Sequence, residues 1–127
     1  MPSRDPVAEF IRTSFPSVWA LELLCFLRQK GGRSLTRAEM VAGLRGSELA
    51  ITQSVESLVR AGLVAADAGG AAHYAPANEG LAELADQAVA RYARSPDAVR
   101  RLIVAGATPS LDAFVDAFRL RREDDDG

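Results

Sequence analysis

The stretch from Ser47 to Gly62 carries side chains that could form a recognition surface. Ser47 can cap a helix and Gly62 can end one in the left-handed conformation, so about four helical turns are predicted. Apolar positions repeat at intervals of three and four along one face, at Ile51, Val55, Leu58, Val59 and Gly62. The opposite face carries Thr52, Gln53, Glu56, Ser57 and Arg60. Short hydrogen-bonding side chains suit a helix that lies in a DNA groove, and they are also typical of an ordinary solvated face.

Side chains suited to catalysis or metal binding are scarce. His73 and Cys25 are the only histidine and cysteine, whereas nucleophilic and acid–base catalysis needs a base beside a nucleophile. Structural zinc and soft-metal sites need several converging thiolates or imidazoles. The sequence therefore predicts no enzymatic activity, no cofactor and no metal site. Cys25 lies between Leu24 and Phe26, which predicts a buried small side chain.

Charge is distributed unevenly along the chain. The net charge of −2 over 127 residues argues against a protein that coats nucleic acid nonspecifically. The segment 28–45 is nevertheless basic, with Glu39 as its one acidic residue against Arg28, Lys30, Arg33, Arg37 and Arg45. The stretch 123–126 is entirely acidic. Any contacts with phosphate are therefore expected to come from the segment 28–45.

Length and composition predict one domain spanning residues 1–127. Hydrophobic residues make up 48% of the chain, enough for one core of ordinary size. Charges such as Glu22 and Arg28 interrupt every apolar run before it reaches the ~20 residues that a membrane span needs. Asp5 and Glu9 are unlike the start of a secretory signal. A cytoplasmic protein without membrane association is expected.

Turn and capping residues predict a mainly α-helical chain with one small β-hairpin. In order, the predicted elements are helix 5–14, a core helix from Ser17 to Lys30, a helix capped by Thr36, the helix from Ser47, strands 63–67 and 72–75, a helix from Asn78 to Arg94, and helices within 96–122. Thr36 and Glu39 have capping-box spacing. Because only Arg45-Gly46 separates the Thr36 helix from Ser47, these two helices are predicted to form a helix-turn-helix unit.

This order of elements resembles the winged helix-turn-helix transcription regulators, and within them the MarR and ArsR types. The resemblance covers about residues 17–94 and is clearest in 55–64, which is followed by a hairpin of wing length. It implies a winged-helix core with extra terminal helices at 5–14 and 96–122. In that fold 36–44 would be the supporting helix and 47–61 the recognition helix.

The resemblance also implies residue roles. The polar side chains that would face base edges are Thr52, Gln53, Glu56 and Ser57. The basic side chains that would contact phosphates and set orientation are Arg33, Arg37, Arg45 and Arg60. The partner would be duplex DNA, read as a short inverted repeat by a homodimer. Exposed helix residues without a special role remain the alternative at each position.

The terminal helices are the predicted dimer interface, with Phe10, Phe114 and Phe118 as candidate contacts, and packing within one chain is the alternative. A second hypothesis for function is a winged-helix protein-interaction module that regulates a protein partner without binding DNA. The hairpin tip 68–71 favours this hypothesis, because it contains no arginine or lysine and follows Asp67.

Overall fold

A computed structural model describes residues 5–105 of the chain. The helices and strands in this range are α1 (Pro6–Ser14), α2 (Val18–Gln29), α3 (Arg37–Leu44), α4 (Glu48–Arg60), β1 (Val64–Ala66), β2 (Ala72–Tyr74), α5 (Glu79–Arg94) and α6 (96–105). The fold is mainly helical with a two-stranded antiparallel sheet, which confirms the predicted α-rich class with a hairpin. The helix expected at 110–122 lies outside the described residues.

Local side-chain caps explain where five of the helices begin. In each case the capping oxygen accepts a hydrogen bond from the amide three residues further on, and the caps are Asp5, Ser17, Thr36, Ser47 and Asn78. At α3 the bond is reciprocal, because the Thr36 amide donates to Glu39 Oε1 at 2.8 Å. This backbone bond lowers the pKa of the Glu39 carboxyl. The predicted capping box is therefore confirmed.

Helix α2 forms the centre of the core, as its nearly continuous apolar sequence predicts. Its fully buried side chains are Ala20, Leu21, Leu23, Leu24 and Leu27. Helices α3 and α4 and strand β2 pack against it, while α1 packs on α5. Burying each leucine contributes about 1.5–3 kcal/mol to folding, so α2 holds the surrounding elements in place.

One residue on each side of α4 differs from the predicted apolar face. Val59 was placed on that face and is 42% exposed, whereas Ser54 is only 3% exposed. With 3.6 residues per turn, Val59 lies about 80° from Ile51 around the helix and Ser54 about 60° in the other direction. The buried stripe is therefore centred slightly toward Ser54, and Val59 is left at its edge.

Phe10 lies in the core of the single chain. Its side chain is 7% exposed, and its ring meets Phe15 edge-on at 5.7 Å between centroids and 85° between planes. A ring buried in this way is not available to a second copy, so Phe10 is a core residue and not the surface contact that was expected. The other candidate interface residues, Phe114 and Phe118, lie outside the described residues.

Helices α1 and α2 meet at a bend of 105°. Phe15 is extended (φ −117°, ψ 99°) because the following Pro16 disfavours the helical conformation. Between residues 5 and 105, no single helix is long and apolar enough to cross a membrane. This bent pair reaches the required length and composition only as two helices together.

The hairpin is short and is attached to the segment that leads into α3. Val64 lies opposite Tyr74 and Ala66 opposite Ala72, so the strands are shorter than predicted. An isolated bridge joins Leu35 to Ala72 through two hydrogen bonds of 2.9 Å, where the sequence allowed a loop or a single bridge. Gly62, with φ +80°, turns the chain from α4 into β1.

Candidate nucleic-acid interface

A tight turn joins α3 to α4. Arg45 adopts the left-handed conformation (φ 55°), and Ser47 then caps α4. A Cβ added at Gly46 would come within 3.0 Å of the Trp19 ring, so this glycine lets the turn approach α2 closely. The turn therefore fixes how α4 lies on the core.

An open groove of about 470 Å³ separates α4 from the hairpin, and we call it the α4–hairpin groove. The helix residues that line it are Thr52, Val55, Glu56, Val59 and Arg60. Across from them lie the hairpin residues Ala66, Asp67, Ala68 and Gly70, with Arg37 contributed by α3. Three elements thus build one concave surface.

Arg37 connects the three elements that form this groove. Its guanidinium donates a hydrogen bond to Thr52 Oγ1, and a Cβ added at Gly70 would lie 3.0 Å from the same guanidinium. Arg37 Nε is buried and has no hydrogen-bond partner among residues 5–105. A guanidinium presents five N–H donors, so Arg37 keeps bonding capacity for an anionic group.

The predicted base-reading side chains lie on two flanks of α4. Thr52 and Glu56 face the α4–hairpin groove, whereas Gln53 and Ser57 line a separate pocket on the other flank. Thr52 Oγ1 donates to the Glu48 carbonyl at 2.7 Å, and Ser57 Oγ donates to the Gln53 carbonyl at 3.0 Å. Both hydroxyls therefore present acceptors to a partner, while Gln53 and Glu56 extend into solvent.

The predicted phosphate-contacting arginines are not engaged in ion pairs in the described part of the chain. Within residues 5–105 the ion pairs are Arg28–Asp86, Arg91–Asp5 and Arg100–Asp97. Arg60 lines the groove beside Arg37, while Arg33 and Arg45 are exposed in the loops on either side of α3. These arginines can therefore meet a negatively charged partner.

Arg28 has a different role, although it belongs to the same basic segment of the sequence. It pairs with Asp86 of α5, and its guanidinium lies over the Tyr74 ring at 5.6 Å. Arg28 thus links α2, β2 and α5. Its charge stabilises the fold and is not part of the open basic surface.

The groove itself is formally neutral among the described residues that line it. Arg37 and Arg60 are balanced by Glu56 and Asp67. Asp67 Oδ1 accepts hydrogen bonds from the Gly69 and Ala71 amides at 2.9 and 3.0 Å, so this carboxylate shapes the hairpin turn. Net attraction for phosphates must therefore come from the arginines that flank the groove.

Sequence reasoning missed the second concavity, a pocket of about 240 Å³ that we call the Trp19 pocket. It is lined by Pro16, Ser17, Trp19, Ala50, Gln53, Ser54 and Ser57. The apolar pattern of α2 assigned Trp19 to the core, yet Trp19 is 40% exposed. The signal in the sequence was Ser54, a polar residue close to the centre of the apolar face of α4.

The chain matches no family model, no curated protein and no solved structure. Its function is therefore argued from this geometry alone.

Proposed function

We propose that the protein is a winged-helix transcriptional regulator of the MarR and ArsR kind that binds duplex DNA in the cytoplasm. In this proposal α3 and α4 form the helix-turn-helix, the hairpin is the wing, and α4 enters the major groove. The observation that carries it is the α4–hairpin groove, where Thr52 and Glu56 lie beside Arg37 and Arg60. Base-reading and phosphate-binding chemistry are thus adjacent.

Hydrogen-bonding capacity assigns a contact to each reading residue. Gln53 can form two bonds with adenine, and Glu56 can accept from the cytosine amino group. Thr52 and Ser57 have their hydroxyl protons committed to helix carbonyls, so they would accept from adenine or cytosine amino groups. The methyl group of Thr52 can also contact a thymine methyl.

Electrostatics favours a homodimer. Binding by counterion release needs several cations, and the groove of one chain is neutral. A two-fold dimer would double the set formed by Arg33, Arg37, Arg45 and Arg60 and would read an inverted repeat. Since Phe10 belongs to the core, the proposed interface relies on other residues of the terminal helices.

Selection from random duplexes at low salt, with the full chain, tests DNA recognition. We expect enrichment of an inverted repeat. Arg37→Ala should then weaken binding to all sequences about equally and reduce the slope of log affinity against log salt by about 1 per protomer. Arg94→Ala, at the exposed end of α5, is the matched control for loss of charge. No enriched sequence, or equal effects of the two variants, would count against DNA binding.

Base reading is tested separately with Gln53→Ala on the enriched duplex and on single-base variants of it. We expect a loss equivalent to about 1–3 kcal/mol on the preferred base and little change on the variants, so that discrimination at one position falls. A uniform loss across all duplexes would instead indicate that Gln53 contacts the backbone.

The alternative function is a winged-helix module that binds a regulatory protein partner. It is favoured by the neutral groove together with the exposed apolar side chains of Leu49 (66%) and Val59 (42%) on α4. Recovery of a stoichiometric protein partner, lost on Leu49→Ser, together with absence of DNA binding, would establish this alternative.

A further inference from the structure

The Trp19 pocket lies where α2 begins. Ser17 is the cap of α2, and Pro16, Ser17 and Trp19 form one wall of the pocket. The first amides of a helix have no partner within the helix and carry partial positive charge. The first turn of α2 contains no acidic residue to neutralise that charge. This end of the helix favours an anion, although a helix terminus alone does not define a site.

Ser54 supplies independent support from the opposite wall. Its side chain is 3% exposed and lines the pocket. Its hydroxyl makes no hydrogen bond to any residue between 5 and 105, whereas Thr52 and Ser57 on the same helix both donate to a carbonyl four residues earlier. A buried hydroxyl without a partner is unfavourable by about 1–3 kcal/mol, so it indicates an acceptor supplied by a ligand.

The remaining lining fits the same chemistry. No described residue that lines the pocket carries a carboxylate, and the exposed Gln53 places a carboxamide, with two N–H donors, at its rim. Ser57 also lines the pocket, but its proton is committed to the Gln53 carbonyl at 3.0 Å. The uncommitted groups are thus mainly hydrogen-bond donors, and they suit an oxyanion with several acceptor atoms.

We propose that the Trp19 pocket is an anion site that takes a phosphate group, with Ser54 Oγ and the first amides of α2 as donors. On the proposed function, from which this step follows, the ligand is a phosphate of the DNA backbone. It would be held on the flank of α4 opposite the α4–hairpin groove. The same chemistry would accept free phosphate or a nucleotide, and the experiments below separate these sources.

Trp19 is the only tryptophan, so its fluorescence reports directly on the pocket. The full chain is titrated with inorganic phosphate while chloride keeps the ionic strength constant. We expect a saturable change that Ser54→Ala weakens about tenfold, as for the loss of a hydrogen bond to a charged group. Ser57→Ala removes the same kind of hydroxyl from the same pocket and should change the affinity less than about twofold. No saturable change, or equal effects of the two variants, would overturn the proposal.

Amide resonances provide a second readout that requires no substitution. Phosphate, but not chloride, should shift the backbone amides of Val18 and Trp19, because these begin α2. Unchanged resonances at saturating phosphate would also overturn the proposal.

Duplex DNA separates this site from the proposed function. If DNA binds, depends on Arg37 and is weakened by Ser54→Ala, the pocket holds a backbone phosphate. If DNA binds with dependence on Arg37 but equally well to wild type and Ser54→Ala, the pocket assignment fails while the proposed function survives. If phosphate binds and DNA does not, the anion site stands with free phosphate or a nucleotide as its ligand, and the DNA assignment fails.

Discussion

Replacing Asp67 by asparagine should tighten DNA binding. Asp67 Oδ1 accepts the Gly69 and Ala71 amides at 2.9 and 3.0 Å, and it places a negative charge in the α4–hairpin groove. Asparagine has nearly the same shape, and its carbonyl oxygen can accept the same two bonds. Asp67→Asn therefore removes the charge and keeps the turn.

The magnitude of the gain follows from Coulomb's law. A unit charge about 7 Å from a phosphate interacts with it by about 0.6 kcal/mol in water, which is about threefold in affinity. A homodimer with two grooves would gain about sevenfold at low salt. Because the Debye length is about 8 Å at physiological ionic strength, the gain should fall to about twofold there.

Fluorescence anisotropy with the selected duplex, at several salt concentrations, measures this gain. Glu83→Gln is the matched control, because Glu83 is exposed on α5 and makes no ion pair within the described residues. Asp67→Ala removes the charge and the turn bonds together, so it should also lower the free energy of unfolding by about 1 kcal/mol. The reasoning is refuted if Asp67→Asn keeps its thermal stability and binds DNA no better than wild type, or if Glu83→Gln gains as much.

Three further predictions concern stability and reactivity. Gly62→Ala should lower the free energy of unfolding by about 1–3 kcal/mol in chemical denaturation, because Gly62 has φ +80° and an added Cβ would lie 3.1 Å from Leu81; an unchanged midpoint would contradict this. Ser54→Ala should raise the free energy of unfolding by up to about 1 kcal/mol in the same assay, since it removes a buried hydroxyl without a partner and improves helix propensity; a clear loss would mean that the hydroxyl is bonded within the chain. Burial raises the pKa of the Cys25 thiol from 9.0 to about 11, so the thiolate fraction at pH 8 is about 100-fold lower than normal and iodoacetamide should label Cys25 slowly until the chain unfolds; labelling at the rate of a free thiol in the folded protein would contradict this.

Helix boundaries could be predicted from the sequence because they depend on neighbouring residues. Asp5, Thr36, Ser47 and Asn78 each cap a helix through an amide three residues away. The α-rich class and the hairpin follow from such local signals. The groove followed less directly, since a sequence shows that Arg37 and Thr52 are polar but not that they bond to each other.

Contacts distant in the sequence decided what could not be predicted. Arg28 and Arg37 look alike in the sequence, but Asp86, which lies 58 positions further on, pairs with Arg28 alone. The turn at Arg45-Gly46 was predicted, yet the left-handed residue is Arg45, and Gly46 is needed for its close approach to Trp19. In both cases the packing of α2 and its neighbours determined the outcome.

The bridge between Leu35 and Ala72 has a consequence for the thermodynamics of binding. A two-stranded hairpin alone is marginally stable in water, but here two hydrogen bonds of 2.9 Å attach it to a segment whose Leu35 side chain is 2% exposed. The hairpin therefore loses its conformational freedom when the chain folds and not when a partner arrives. Association at the groove should carry a small entropic penalty from backbone ordering, so that calorimetry reports mainly the contacts themselves.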